Sequence, residues 1–201
     1  MSVIKIDPAN PDKKKIAVAA KVIRDGGIVI FPTETVYGIA ANLLDGNAMK
    51  RLCSVKGRPE GKPFTVHISD IQMIRDMGCE ITGTAEKLIA KFWPGPLTII
   101  LKSQRDRNIG FRMPADKIAL ALIRASGVPV AAPSANLSSR PAPVTAEEAM
   151  ADLGGAVDIV IDGGKTKVGL ESTVLDLTVT PFKILREGAI KKEELSEAIN
   201  G

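Results

Sequence analysis

The sequence predicts an α/β fold in which helices pack on a twisted mixed β-sheet. Three observations carry this prediction. Short Ile- and Val-rich runs alternate along the chain with segments whose apolar residues recur at helical spacing. Gly and Pro punctuate most of the junctions between them. No internal repeat, low-complexity tract or linker interrupts the 201 residues, so a single domain over 1–201 is expected.

Val3 to Ile6 reads as a first strand, and Pro8 to Pro11 as a turn. Asp12 is placed to cap a helix running to about Asp25, with Ile16, Ala19, Ala20 and Ile23 on one face. Gly26-Gly27 stops it, and Ile28 to Phe31 is a buried strand. Pro32 has no N–H for a ladder and ends that strand. Ile39 to Ala41 continues extended. Asp45 begins a helix with Met49, Leu52, Cys53 and Lys56 at helical spacing, which puts the Lys56 cation near its C-terminus. Phe64 to Ile68 reads as a strand, and Ser69 as the cap of a short helix to about Asp76. Thr82 or Thr84 starts a helix to Phe92, which Trp93-Pro94-Gly95-Pro96 breaks.

Leu97 to Leu101 is a strongly apolar strand, and Phe111-Arg112-Met113 a short one ended by Pro114. Asp116 caps a helix through Ala125, stopped by Gly127. An apolar run from Val128 to Ala132 leads into Pro133-Ser134-Ala135-Asn136. Thr145 caps a helix with Glu147 and Glu148 in its first turn, ended by Gly154-Gly155. Val157 to Ile161, Thr173 to Leu177 and Lys183 to Arg186 are strands, and Lys191 to Ile199 is a closing helix.

Composition narrows the function. Hydrophobic residues make up 45% of the chain and charged ones 25%, as in a globular protein with a real core. Aromatics are 3%, too few for a base-stacking platform along single-stranded nucleic acid. The net charge of +4 fits either general surface charge for solubility or an anionic partner such as a nucleotide, a phosphate or RNA, and does not by itself choose between them. Cys53 and Cys79 are the only cysteines and His67 the only histidine, which excludes a structural zinc site and fits a reducing cytoplasm. No apolar run approaches a membrane span, and the N-terminal residues lack the apolar core of a signal peptide. Neither a Walker A motif, a G-x-G-x-x-G fingerprint nor a G-x-S-x-G elbow is present.

One pattern recurs. Apolar strands end in Pro followed by small hydroxyl or amide residues, in Phe31-Pro32-Thr33-Glu34-Thr35 and Ala132-Pro133-Ser134-Ala135-Asn136. Ligands of open α/β sheets gather outside strand ends, so these turns, with Lys56-x-Arg58, point to a shared pocket for an anionic ligand.

Seven motif words occur in order: Phe31-Pro-Thr-Glu-Thr-Val-Tyr-Gly38; Lys56-Gly-Arg-Pro59 with Lys62-Pro63; Trp93-Pro-Gly-Pro-Leu-Thr98; Arg112-Met-Pro114; Ala132-Pro-Ser-Ala-Asn136; Glu171-Ser-Thr173; and Leu185-Arg186. In this set, spread over nearly the whole chain, the sequence resembles the YrdC-like domain of threonylcarbamoyl-AMP synthases. The accessory C-terminal domain of longer members has no counterpart among these residues.

The resemblance implies a twisted sheet flanked by helices around a deep cationic cleft. It implies a nucleotidyltransferase that makes threonylcarbamoyl-adenylate and pyrophosphate from L-threonine, bicarbonate and ATP, with Mg2+ expected beside the ATP. A downstream threonylcarbamoyl-transferase would then modify an adenosine of tRNA in the cytoplasm, with no membrane involved. By the family's motif positions, Lys56 and Arg58 are the catalytic candidates. Those two with Lys62, Ser134, Asn136 and Arg186 are the candidate ATP ligands, and Thr35, His67, Arg112 and Ser172 the candidate threonine ligands. Many members carry a longer segment where this chain has only Lys102 to Phe111, which bears on how the threonine pocket closes. The same resemblance allows a second class of function, a double-stranded RNA-binding module served by Lys62, Arg140, Lys165 and Lys167, or a paralogue with another substrate.

Overall fold

The structure, a computed structural model, describes residues 1–59, 61, 63–104 and 107–200. In chain order the elements are β1 (Ser2–Lys5), α1 (Lys13–Arg24), β2 (Val29–Phe31), β3 (Gly38–Asn42) and α2 (Gly46–Lys56). Then come β4 (Val66–His67), α3 (Gln72–Asp76), α4 (Gly83–Phe92), β5 (Leu97–Leu101) and β6 (Ile109–Arg112). The chain continues with α5 (Lys117–Ser126), β7 (Val130–Ala131), α6 (Ala146–Leu153), β8 (Ile159–Asp162), β9 (Thr173–Asp176), β10 (Lys183–Arg186) and α7 (Lys192–Asn200). The strands form one mixed sheet in the order β1-β8-β2-β3-β7-β4-β6-β5-β9-β10.

The helix starts follow local chemistry. Asp12 and Asp45 each accept two main-chain N–H groups with the side chain, while Thr82, Asp116 and Thr145 each accept one. Helix α2 ends at Gly57 and α5 at Gly127, both in the left-handed region that glycine enters without Cβ strain. The expected Ser69 cap is not made: α3 begins after Ile71 without a side-chain cap, and Asp70 instead accepts from Gln72 N–H. Strand β4 is shorter than the apolar run that announced it, because only Val66 and His67 have ladder partners on both sides.

Burial explains the unbroken apolar runs. Val29 and Phe31 belong to a cluster with α1 and α5, whereas Ile28 and Ile30 belong to one with α2 and α6. Alternate residues of β2 therefore face opposite layers, both covered by helices. Ala131 of the second cluster is paired with Val66, and the third cluster continues that layer beneath β4, β5, β6 and β9 against α4 and α7. In this second half only one sheet face is packed with apolar residues, and the opposite face is left for other work.

Candidate functional site

The free face carries the site. Val66, Leu97, Ile99, Phe111 and Leu175 point into the third cluster. The residues between them, His67, Thr98, Arg112 and Val174, therefore share the other face. His67 is in register with Arg112 on parallel strands, and Thr98 with Val174. Thr98 and Arg112 lie one step beyond the antiparallel Ile99–Phe111 pair. All four line a cleft of about 640 Å³. The expectation that the ligand site would sit outside strand ends is thus half met. The turns after β2 and β7 supply Thr33, Ser134 and Asn136, but the floor is the sheet face itself, where period-2 alternation turns polar side chains outward.

Among the described residues four cations line this cleft: Lys56, Arg58, Arg112 and Arg186. Lys56 closes α2 and is buried, with Nζ donating to the main-chain oxygens of Ser134 at 2.5 Å and Asn136 at 2.6 Å. Desolvation, reinforced by the Arg58 charge, pushes its pKa down to about 8. Arg58 lies over the Phe64 ring, 4.8 Å from the centroid, and donates to Pro63 O at 2.9 Å. Its Nε is buried without a partner. Arg186 donates through Nη1 to Glu171 at 2.6 Å, and through Nε and Nη2 to Ser172 O. Nη2 also reaches the Ser172 hydroxyl, which sits 2.9 Å from that of Thr98.

Arg112 is buried as well. Its Nη2 meets Glu34 Oε1 and Thr35 Oγ1, each at 2.8 Å, and Nε donates to Gly95 O at 3.3 Å. Thr35 is thus fully buried behind Arg112 and does not line the cleft. His67 is fully enclosed; burial first, and then the Arg112 charge, hold its pKa well below the ordinary imidazole value. Its Nδ1 lacks a partner, and its ring stands edge-on to Phe31.

Asn136 serves the loop. Its amide donates to Leu137 O at 3.0 Å and to Arg140 O at 2.6 Å, leaving only Oδ1 uncommitted. In this arrangement the Asn136 amide braces the loop, and the group it has left for a ligand is an acceptor. Tyr37 pins the opposite rim, donating to Gly164 O at 2.7 Å and accepting from Gly163 N–H at 3.2 Å. Burial raises its pKa.

Of the candidates from sequence, Lys56, Arg58, Ser134, Asn136, Arg186, His67, Arg112 and Ser172 come together here, from segments as far apart as α2 and β10. Lys62 lies outside the described residues. Of the cations considered for RNA, Arg140 is tied to Asp152 at 2.7 Å, while Lys165 and Lys167 are exposed. Sequence reasoning assigned no role to Glu34, Thr98 or Glu171, although each stands inside a motif word.

A larger cavity, about 1240 Å³, opens on the opposite side of β4, where Met49, Phe64, Val66, Met73 and Met77 make it chiefly apolar. Size alone does not identify a site; the smaller cleft is where charged and hydroxyl groups converge. Among the described residues no cluster of three or more His, Cys, Asp or Glu side chains is arranged to hold a metal ion, and no helix is long and apolar enough to cross a membrane.

Comparison with known proteins gives the chain's relatives. A family model described as "Telomere recombination" (Sua5_yciO_yrdC) matches residues 21–188. The threonylcarbamoyl-AMP synthase of Pyrococcus abyssi is 45% identical over 194 residues, which are 92% of this chain and 57% of that protein. The chain therefore spans less than two thirds of that relative's length. The crystal structure of P. abyssi Sua5 complexed with L-threonine superposes with a TM-score of 0.93 at 42% identity, covering 99% of this chain and 61% of the other. Escherichia coli YciO superposes at 0.86 with 29% identity, covering 97% of this chain and all of its own.

Proposed function

This chain belongs to the Sua5/YciO/YrdC family, and from that membership we propose that its cleft makes threonylcarbamoyl-adenylate from L-threonine, bicarbonate and ATP. The observation that carries the reading is the convergence of Lys56, Arg58, Arg112 and Arg186 with Ser134, Ser172 and Thr98 around one cavity.

The chemistry follows from the charges. The threonine amine and bicarbonate condense to a carbamate with loss of water. A carbamate oxygen then attacks the α-phosphorus of ATP, a P–O bond to it forms, and pyrophosphate leaves. Negative charge grows on phosphoryl oxygens during this step, and cations already fixed in place stabilise it without reorganising. Arg58 and Lys56 are assigned to the triphosphate. Lys56 commits two N–H groups to Ser134 and Asn136, so it organises the loop as well as supplying charge. Arg186 must give up at least part of its contact with Glu171 to offer a fork to phosphate.

Arg112 is assigned to the threonine carboxylate. Neutral His67 and the Ser172–Thr98 hydroxyl pair are assigned to the polar remainder of the amino acid. A nucleotide-borne Mg2+ would neutralise charge on the phosphates. Among the described residues Glu171 is the carboxylate lining the cleft, and it would hold such an ion together with waters and phosphate oxygens.

Mass spectrometry tests this directly. Purified protein given ATP, L-threonine and bicarbonate should form threonylcarbamoyl-adenylate with matching pyrophosphate, and omission of threonine should abolish both. ATP turnover indifferent to threonine would instead indicate a relative of the same fold with another substrate. The product would then be consumed by a transferase acting on tRNA.

A further inference from the structure

We propose that Glu34 is a positioning residue that holds the Arg112 guanidinium aimed into the cleft. Glu34 does not line the cleft; it stands behind Arg112 in the turn after β2. Its Oε1 lies 2.8 Å from Nη2, with the two side chains only 6% and 5% exposed. Thr35 Oγ1 accepts from the same nitrogen at 2.8 Å, and Thr35 is steadied by Thr33 at 2.9 Å, whose hydroxyl donates in turn to Val36 O. Gly95 O accepts from Nε. Contacts at Nε and Nη2 fix the plane of the guanidinium, and Nη1 takes part in none of them. One edge of the fork is thus tied to the fold, and the rest is offered to the cleft.

The electrostatics require such a partner. Arg112 is buried beside His67 and within range of the Arg186 charge, so desolvation and like charge both oppose its ionised form. Glu34 is the strongest opposing influence, through its charge at ion-pair distance. A buried guanidinium stripped of its carboxylate would turn toward other oxygens, such as Ser172 or incoming water. Glu34 therefore keeps Arg112 charged and oriented before a carboxylate ligand arrives. Both carboxylate oxygens are buried without a well-aligned hydrogen bond, so the 2.8 Å contact is an ion pair, and the unsatisfied oxygens mark the energetic cost of keeping this carboxylate inside.

The inference rests on the synthase reading only for its choice of L-threonine as a probe. Calorimetric titration of wild type, Glu34→Gln and Glu34→Asp with L-threonine and separately with ATP tests it. Glu34→Gln should weaken threonine about tenfold or more and ATP by less than about twofold, with Glu34→Asp recovering part of the loss. Equal weakening of both ligands, or none, overturns the assignment. If Glu34→Gln does not fold, the double variant Glu34→Gln/Arg112→Gln, which leaves no charge in the buried pair, is compared with Arg112→Gln. Threonine affinity should match between these two, and a further loss in the double variant overturns the claim that Glu34 acts through Arg112.

A second readout needs no substrate. The Arg112 side-chain N–H signals in 15N NMR should be resolved and slowly exchanging in wild type and broadened in Glu34→Gln. Unchanged signals overturn the proposal even if wild type fails to bind threonine, an outcome that would sink the synthase reading separately.

Discussion

Lys56 Nζ lies 2.6 Å from the main-chain oxygen of Asn136, a residue 80 positions further along the chain. With the companion bond to Ser134, this contact ties the end of α2 to the loop after β7 and closes one wall of the cleft. One ammonium therefore does two jobs, and its protonation governs both.

The pKa of about 8 has opposite consequences for binding and stability. Because the folded value lies below that of free lysine, the unfolded chain holds more proton between about pH 8 and 10.5, and the contribution of Lys56 to stability rises with pH across that window. Nucleotide affinity moves the other way, falling as the ammonium discharges above about pH 8. Calorimetric ATP titrations from pH 7 to 9.5 should show this fall in wild type and a flatter profile in Lys56→Gln.

Arg58 is half-buried and held by Phe64 and one carbonyl. Its removal forfeits a cation–π contact of about 0.5–1 kcal/mol, a shift of a few degrees in Tm. Arg58→Ala should therefore fold normally while threonine-dependent pyrophosphate release drops at least about a hundredfold. Arg58→Lys should restore little, since a point charge cannot present two parallel donors. Wild-type rates in Arg58→Ala would remove this residue from the mechanism.

Glu171 shields Arg186 through a partly exposed ion pair, a geometry generally worth about 0–1 kcal/mol. Glu171→Gln should let metal-free pyrophosphate bind about two- to fivefold more tightly, with a steeper dependence on salt. Binding of Mg-ATP should not gain to the same extent, because the same carboxylate is the one placed to hold the ion. Unchanged pyrophosphate affinity would mean that Arg186 does not face the phosphate chain.

Tyr37 links the turn after β2 to the 163–169 loop through two hydrogen bonds at a fully buried ring. Tyr37→Phe keeps the packing but leaves Gly164 O and Gly163 N–H without their partner, at a cost of about 1–3 kcal/mol. Chemical denaturation should report that loss, and hydrogen exchange should speed up at Gly163 before the core strands respond.

His67 is neutral in the fold at ordinary pH because burial and Arg112 keep its pKa far down. Threonine affinity should therefore show no inflection between pH 6 and 7. The unfolded chain takes up this proton near the ordinary value of about 6.5, so the His67 contribution to stability is lost as pH falls below that value. A pH series of denaturation midpoints in wild type and His67→Asn isolates the effect.

The sequence alone was enough for the element order, the α/β class and most helix starts, because each depends on neighbours within a few residues: Asp12, Asp45, Thr82, Asp116 and Thr145 cap the helices that follow them. The motif words likewise held most of the residues that line the cleft, with His67 and Val174 among those outside them. What only the tertiary structure decided is which of those polar groups are still available. The register of β4 with β6 sets His67 beside Arg112, burial places Glu34 and Thr35 behind that guanidinium, the folded loop occupies the Asn136 amide, and Glu171 from a neighbouring segment occupies Arg186. A side chain's hydrogen-bonding capacity is written in its chemistry. How much of it remains for a ligand depends on partners that only folding brings within 3 Å.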